Sequence, residues 1–212
     1  MQAMKLAASA AMLVLGFGMQ AGAWAQAQTS QPMTKSDYKA AEHRIKAEYK
    51  ADKKNCGSLA GNAKDICKAE AKGKERVARA ELEASEKPGA EANHKVAVAK
   101  AEAAYAVAEE RCDDKGGNEK DVCKKEAKAA ETKAKADAKA ATKSAAAAAA
   151  AVSHDKSMDA QAKANEKIND ANQDAAKDKA SADYAVAKEK CDALAGDAKT
   201  ACLSNAKARY GK

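Results

Sequence analysis

Six cysteines carry most of the chemistry this chain has to offer. They fall into three pairs of one spacing, Cys56/Cys67, Cys112/Cys123 and Cys191/Cys202, each pair with ten residues between its members. The enclosed segments are variants of one another: CGSLAGNAKDIC, CDDKGGNEKDVC and CDALAGDAKTAC. A tyrosine stands seven residues before each first cysteine, at Tyr49, Tyr105 and Tyr184. Cysteine zinc sites use much shorter ligand pairs, and thiol redox catalysis favours C-x-x-C; neither pattern occurs in this sequence. An even cysteine count in an oxidising compartment reads instead as disulfides. The repeat makes pairing within each unit the simplest scheme. His43, His94 and His154 are scattered, and the chain has no glycine-rich phosphate loop and no G-x-S-x-G. The expectation is therefore a non-enzymatic protein with no metal and no cofactor.

The elements that must hold these cysteines read as helices. Alanine, lysine and glutamate dominate the sequence, and all three are strong helix formers. Between the cysteines of each pair lies a stop followed by a start. Gly61, Gly117 and Gly196 suit the left-handed conformation that ends a helix, and Asn62, Asn118 and Asp197 suit the N-cap of the next. Asp65 and Asp121 then fall where a first turn favours negative charge. Cys56 lies five residues before Gly61, and Cys67 lies five after Asn62. An antiparallel hairpin sets such symmetric positions opposite each other. The spacing thus predicts an all-α protein of three helical hairpins, each closed by its own disulfide, in a coiled-coil-like or extended array. In the second unit Val98, Ala101, Tyr105, Ala108 and Cys112 recur at helical steps, as do Cys123, Ala127, Ala130, Ala134 and Ala138 on the return helix. These stripes predict close alanine packing, with the three tyrosines as large fillers rather than a ligand box.

The first cysteines are 56 and then 79 residues apart. The additional residues fall near KSAAAAAAAVSHDKS, whose alanine run spans Ala145 to Ala151. That tract predicts a helix ending near Ser153–His154, with Asp155 and Ser157 suited to a new start. Pro88-Gly89 breaks the other junction. The predicted organisation is hairpin one over 34–87, hairpin two over 92–143, an alanine-rich spacer over 144–157 and hairpin three over 158–212.

Residues 1–25 read as a secretory signal peptide: Lys5, then a mostly apolar run from Leu6 to Met19, then small residues around Ala23-Trp24-Ala25. Ala25-Gln26-Ala27 offers a second cleavage site. The apolar run is short for a membrane anchor, so no transmembrane segment is expected after cleavage. Taking 25 residues, including Lys5, from 212 residues and 38 Lys/Arg leaves 187 and 37, against 31 Asp/Glu, a formal charge of +6. That mature chain has no Phe or Trp and only 14 Leu, Ile and Val. Such a composition lies far below what a globular core needs, which argues against a deep enclosed pocket.

A basic balance points towards polyanions such as nucleic acid, anionic lipid or acidic polysaccharide. The pattern argues the other way. Lysines alternate with acids, and Glu70/Lys74, Asp121/Lys125 and Glu131/Lys135 have the i,i+4 spacing that pairs charges along one helix. Aromatic residues to stack single-stranded bases are missing. Nucleic acid is not the expected partner.

With the export signal, the Y-x6-C-x10-C units and the terminal AKARYGK, the chain resembles small exported proteins of β-proteobacteria labelled TolA-like or cell envelope biogenesis proteins. The likeness covers nearly all of the mature chain. Only the Ala/Lys/Glu-rich middle is similar to TolA itself, so energy-coupled Tol–Pal function is not implied. KEAKAAETKAKADAKAATK also looks like late-embryogenesis-abundant repeats and like the tails of bacterial linker-histone-like proteins. The resemblance implies a periplasmic structural, interaction or stress-related protein of the cell envelope, contacting envelope proteins, peptidoglycan or an anionic lipid surface. The alternatives are a stress protectant largely disordered in dilute solution and a polyanion or nucleic-acid binder.

Overall fold

Thr34 and Asp37 show how the chain enters its first helix. The Thr34 hydroxyl accepts from the Asp37 amide at 3.1 Å, and the Asp37 carboxylate accepts from the Thr34 amide at 3.4 Å. Two otherwise unpaired donors are satisfied by this reciprocal cap. From there the computed structural model, which describes residues 33–153 and 158–211, is helical. We label the helices α1 (Lys35–Asn55), α2 (Gly61–Glu86), α3 (Ala90–Cys112), α4 (Gly117–Ser153), α5 (Met158–Cys191) and α6 (Gly196–Tyr210); a single 3-10 turn, Cys56–Ser58, follows α1. The proposed signal peptide, His154, Asp155 and Ser157 lie outside the described residues.

Among the described residues each helix packs only on its neighbours in sequence: α1 on α2, α2 on α3, α3 on α4, α4 on α5 and α5 on α6. The result is a serpentine layer one helix thick, an extended array rather than a bundle. Disulfides join Cys56 to Cys67, Cys112 to Cys123 and Cys191 to Cys202, with Cα atoms 5.6, 5.6 and 5.7 Å apart. They close the hairpins α1/α2, α3/α4 and α5/α6. Because successive helices run antiparallel, all three closed turns lie along one edge of the layer.

Two details of the turns differ from the sequence reading. Gly61, Gly117 and Gly196 do adopt left-handed φ of 54°, 52° and 55°, but they begin the second helix of each hairpin rather than end the first. The N-caps of α2 and α6 are Ala60 and Ala195, neither of which makes a side-chain cap. Asn62, Asn118 and Asp197 therefore sit one residue inside their helices, and Asp65 falls in the second turn of α2. The alanine tract is also more than a spacer. It continues α4, and Ala147 and Ala151 pack against Ala164 and Ile168 of α5. With 37 residues against 26 in α2, α4 runs about 16 Å further from the disulfide edge.

The core is built almost wholly from alanine and cysteine. Cys56, Cys112 and Cys191, the first member of each pair, are the largest fully buried side chains. Ala136 and Ala140 of α4 meet Ala171 and Ala175 of α5. The predicted α4 stripe is half right: Ala127 and Ala138 are buried, whereas Ala130 and Ala134 are exposed. An inner helix of a single layer needs two buried stripes, one towards each neighbour. Ala129, Ala136 and Ala140 belong to the second of these.

Helices with such small side chains can approach closely, and at Gly73 they leave no room at all. A Cβ there would stand 2.8 Å from the Cβ of Ala103 across the α2/α3 contact. Alanine at position 73 would gain up to about 1 kcal/mol in helix propensity. It would lose about 1–3 kcal/mol to overpacking, because Ala103 has no rotamer by which to move. Gly73→Ala should therefore lower the thermal midpoint, measured by circular dichroism at 222 nm. Each 12-residue disulfide ring contributes about 2.8 kcal/mol on the chain-entropy model. Reductant should accordingly collapse a cooperative helical melt; a coil spectrum indifferent to reductant would reject the stapled array.

Candidate functional site

The features that recur from unit to unit converge on the disulfide edge, which makes it the candidate site. At each junction between hairpins the edge is tied by two contacts. Asn62 Nδ2 donates to the Glu110 carbonyl at the end of α3, at 2.8 Å. Asn118 Nδ2 donates to the Glu189 carbonyl near the end of α5, at 3.2 Å. Each of these carbonyls also accepts a backbone N–H from just beyond its helix, from Asp113 at 3.0 Å and from Asp192 at 3.1 Å, and the side-chain amide of the preceding hairpin is a second donor to it. Below these, Arg111 pairs with Glu70 at 3.0 Å and Lys190 pairs with Glu126 at 2.6 Å. Aligned on the first cysteine, these four residues occupy two repeat positions. The asparagines that suited N-caps in the sequence are thus clamps between hairpins.

Within the second and third turns a further pair recurs. Lys120 and Lys124 both reach Asp113, at 3.1 and 2.8 Å, and Lys199 reaches Asp192 at 2.8 Å. Hydrogen bonds from these lysines hold both carboxyls below the usual aspartate range. The first unit has Gly57 in the same position. Leu59 and Leu194, matched positions of the first and third turns, leave their side chains 41% and 43% exposed.

The three tyrosines are half-buried and lie along the helices leading into this edge. Lys53 lies 5.4 Å from the ring centre of Tyr49, Lys128 lies 5.0 Å from that of Tyr105, and Lys188 lies 5.8 Å from that of Tyr184. Tyr184 also meets Tyr210, centroid to centroid 6.3 Å. Cation–π attraction of this kind places a charge over each ring. Burial, with a hydrogen bond donated to Glu109, pushes the Tyr105 hydroxyl above its ordinary range.

The charge network across the layer is the part that sequence reasoning missed. Of the three expected i,i+4 pairs only Glu131/Lys135 forms, at 2.8 Å. Lys74 turns instead to Asp52 of α1, Glu70 to Arg111 of α3 and Lys125 to Glu189 of α5. Arg76 of α2 pairs with Glu102 of α3 at 2.9 Å, Glu102 with Lys135 of α4 at 2.8 Å, and Lys135 with Glu131. Lys133–Asp183 and Lys179–Asp137 join α4 to α5. The available signal was the repeat offset: Glu70 and Glu126 are equivalent residues, as are Arg111 and Lys190.

Among the described residues, no group of three or more His, Cys, Asp and Glu side chains is placed to hold a metal ion. No described helix is long and apolar enough to cross a membrane. Gly73, Val77, Ala104 and Val107 line a groove of about 610 Å³ between α2 and α3, open along one face of the layer. With this geometry in hand, the chain defines a class by architecture: a disulfide-closed serpentine array of α-hairpins. Comparison with protein-family models, with curated proteins and with solved structures found no match.

Glu131 is the buried charge at the centre of the network, 6% exposed and held by Lys128 at 2.7 Å and Lys135 at 2.8 Å. Burial pushes its carboxyl up, but the two lysines outweigh this and hold it below the ordinary glutamate range. A depressed carboxyl stabilises the fold above its unfolded value, near about 4.3, and that contribution is lost as pH falls through the folded value. Thermal midpoints from pH 7 down to pH 2.5 or so should therefore fall on the acid side, and Glu131→Gln should flatten that fall while lowering the neutral plateau.

Proposed function

We propose that this protein is a non-enzymatic structural or interaction component of the cell envelope, working in the periplasm. The observation that carries the reading is the row of three disulfides, one per hairpin, along a single edge. Bonds of this kind persist where thiols are oxidised and are rare in a reducing cytosol. The signal-like residues 1–25 and the resemblance to TolA-like envelope proteins support the same compartment. The layer offers two broad faces of mixed charge on rigid helices, a surface for contact rather than for chemistry. Envelope proteins, peptidoglycan and anionic lipid are the partners such a surface suits. The helical, ion-paired array weighs against a protectant disordered in dilute solution. The pairing of lysines with acids on neighbouring helices weighs against a polyanion binder.

The test is fractionation of cells expressing the full chain. The protein should appear in the periplasmic extract, shortened at Ala25 or Ala27, with no thiol available to an alkylating reagent before reduction. Recovery in the cytosolic fraction with titratable thiols would sink the proposal.

A further inference from the structure

The two internal junctions of the array share one code. The first hairpin presents an asparagine amide and, eight residues on, a glutamate: Asn62 and Glu70, then Asn118 and Glu126. The next hairpin presents a helix-end carbonyl and a cation beside it, at Glu110 and Arg111, then at Glu189 and Lys190. The contact is between unlike surfaces, the second helix of one unit against the first helix of the next. A head-to-tail contact of that kind leaves an unused face at each end, so copies of a chain that carried it at both ends would add to one another, into a ring or an open filament. Repeat arrays avoid this through altered terminal units.

Both outer helices are altered at the coding positions. On α6 the asparagine position holds Asp197 and the glutamate position holds Asn205. On α1 the cation position holds Asn55, and Lys50 and Ala51 stand where α3 has Ala106 and Val107 and α5 has Ala185 and Val186. Asp197, Asn205, Asn55 and Lys50 are all exposed, and among the described residues α6 packs on α5 alone and α1 on α2 alone. We infer that these residues of the outer described helices are stop positions that bar a second copy of the chain from adding to either end. The chemistry at Asp197 is the most direct. A carboxylate has no N–H to donate, so against a helix-end carbonyl it meets oxygen with oxygen at the negative end of a helix dipole. Asn205 and Asn55 each remove one partner of the ion pair. Lys50 puts a charge where the second unit has the half-buried Ala106 and the third the exposed Ala185.

The inference stands apart from the proposed function and is tested on the oxidised full-length mature chain. Asn62→Asp and Asn118→Asp place the stop residue at internal junctions, and each should lower the folded-to-unfolded ratio in urea roughly tenfold. Asp197→Asn should leave that ratio within about twofold, because no neighbour faces it. In sedimentation velocity the natural chain should keep one mass at all concentrations. The variant Lys50→Ala/Ala51→Val/Asn55→Arg/Asp197→Asn/Asn205→Glu should gain mass as concentration rises. A helical five-residue variant that stays monomeric would overturn the inference, as would a natural chain that gains mass just as steeply. If that variant fails to fold, the single substitutions decide: an equal loss in Asp197→Asn and Asn118→Asp would make Asp197 an ordinary part of its own hairpin and end the argument.

Discussion

Covalent closure of the hairpins is the constraint on which the rest of this architecture depends. A helix pair packed through alanine gains about 0.8 kcal/mol per buried methyl-sized group, while ordering each residue costs about 1–2 kcal/mol of backbone entropy. Burying Ala136 against Ala171 cannot by itself hold two long helices in register. The disulfides act on the other side of the balance by narrowing the unfolded ensemble. They also fix where each turn falls, and so fix which residues face one another within each hairpin. The complete burial of Cys56, Cys112 and Cys191 makes the bridges part of the small core as well as its fasteners.

Given that register, charge does the lateral work that large apolar side chains do elsewhere. Exposed ion pairs are individually weak. Here they form chains, as from Arg76 through Glu102 and Lys135 to Glu131, that run across three successive helices. Their value lies in specificity: a helix slid by one turn would set lysine against lysine. The alanine surfaces themselves discriminate poorly between registers, since one methyl looks much like the next.

The fold was legible in the sequence because its determinants are local. Cysteine spacing, the glycine at each turn and the helix-forming composition all act within a dozen residues, and the disulfide pairing follows from symmetry about Gly61, Gly117 and Gly196. The junctions were not legible for the opposite reason. Asn62 suits an N-cap by type and position, and only the placement of the next hairpin shows that its amide serves Glu110 instead. Glu70 has a lysine four residues on, and i,i+4 spacing is a sound local rule; it fails because Arg111 on α3 offers a better-placed guanidinium. The expected α4 stripe missed Ala129, Ala136 and Ala140 similarly, since one helical period describes one buried face and α4 has two.

The one-helix-thick layer also fixes how the molecule responds to tension. With every contact among the described helices made between neighbours in the chain, force applied across them is borne by interfaces in series, and none of these is backed by a parallel one. The outermost helices peel first, and each opened hairpin runs out only as far as its bridge allows, since the ten residues inside each ring stay looped. Such a chain gives way in steps and re-forms in steps, a graded tether rather than a brittle one.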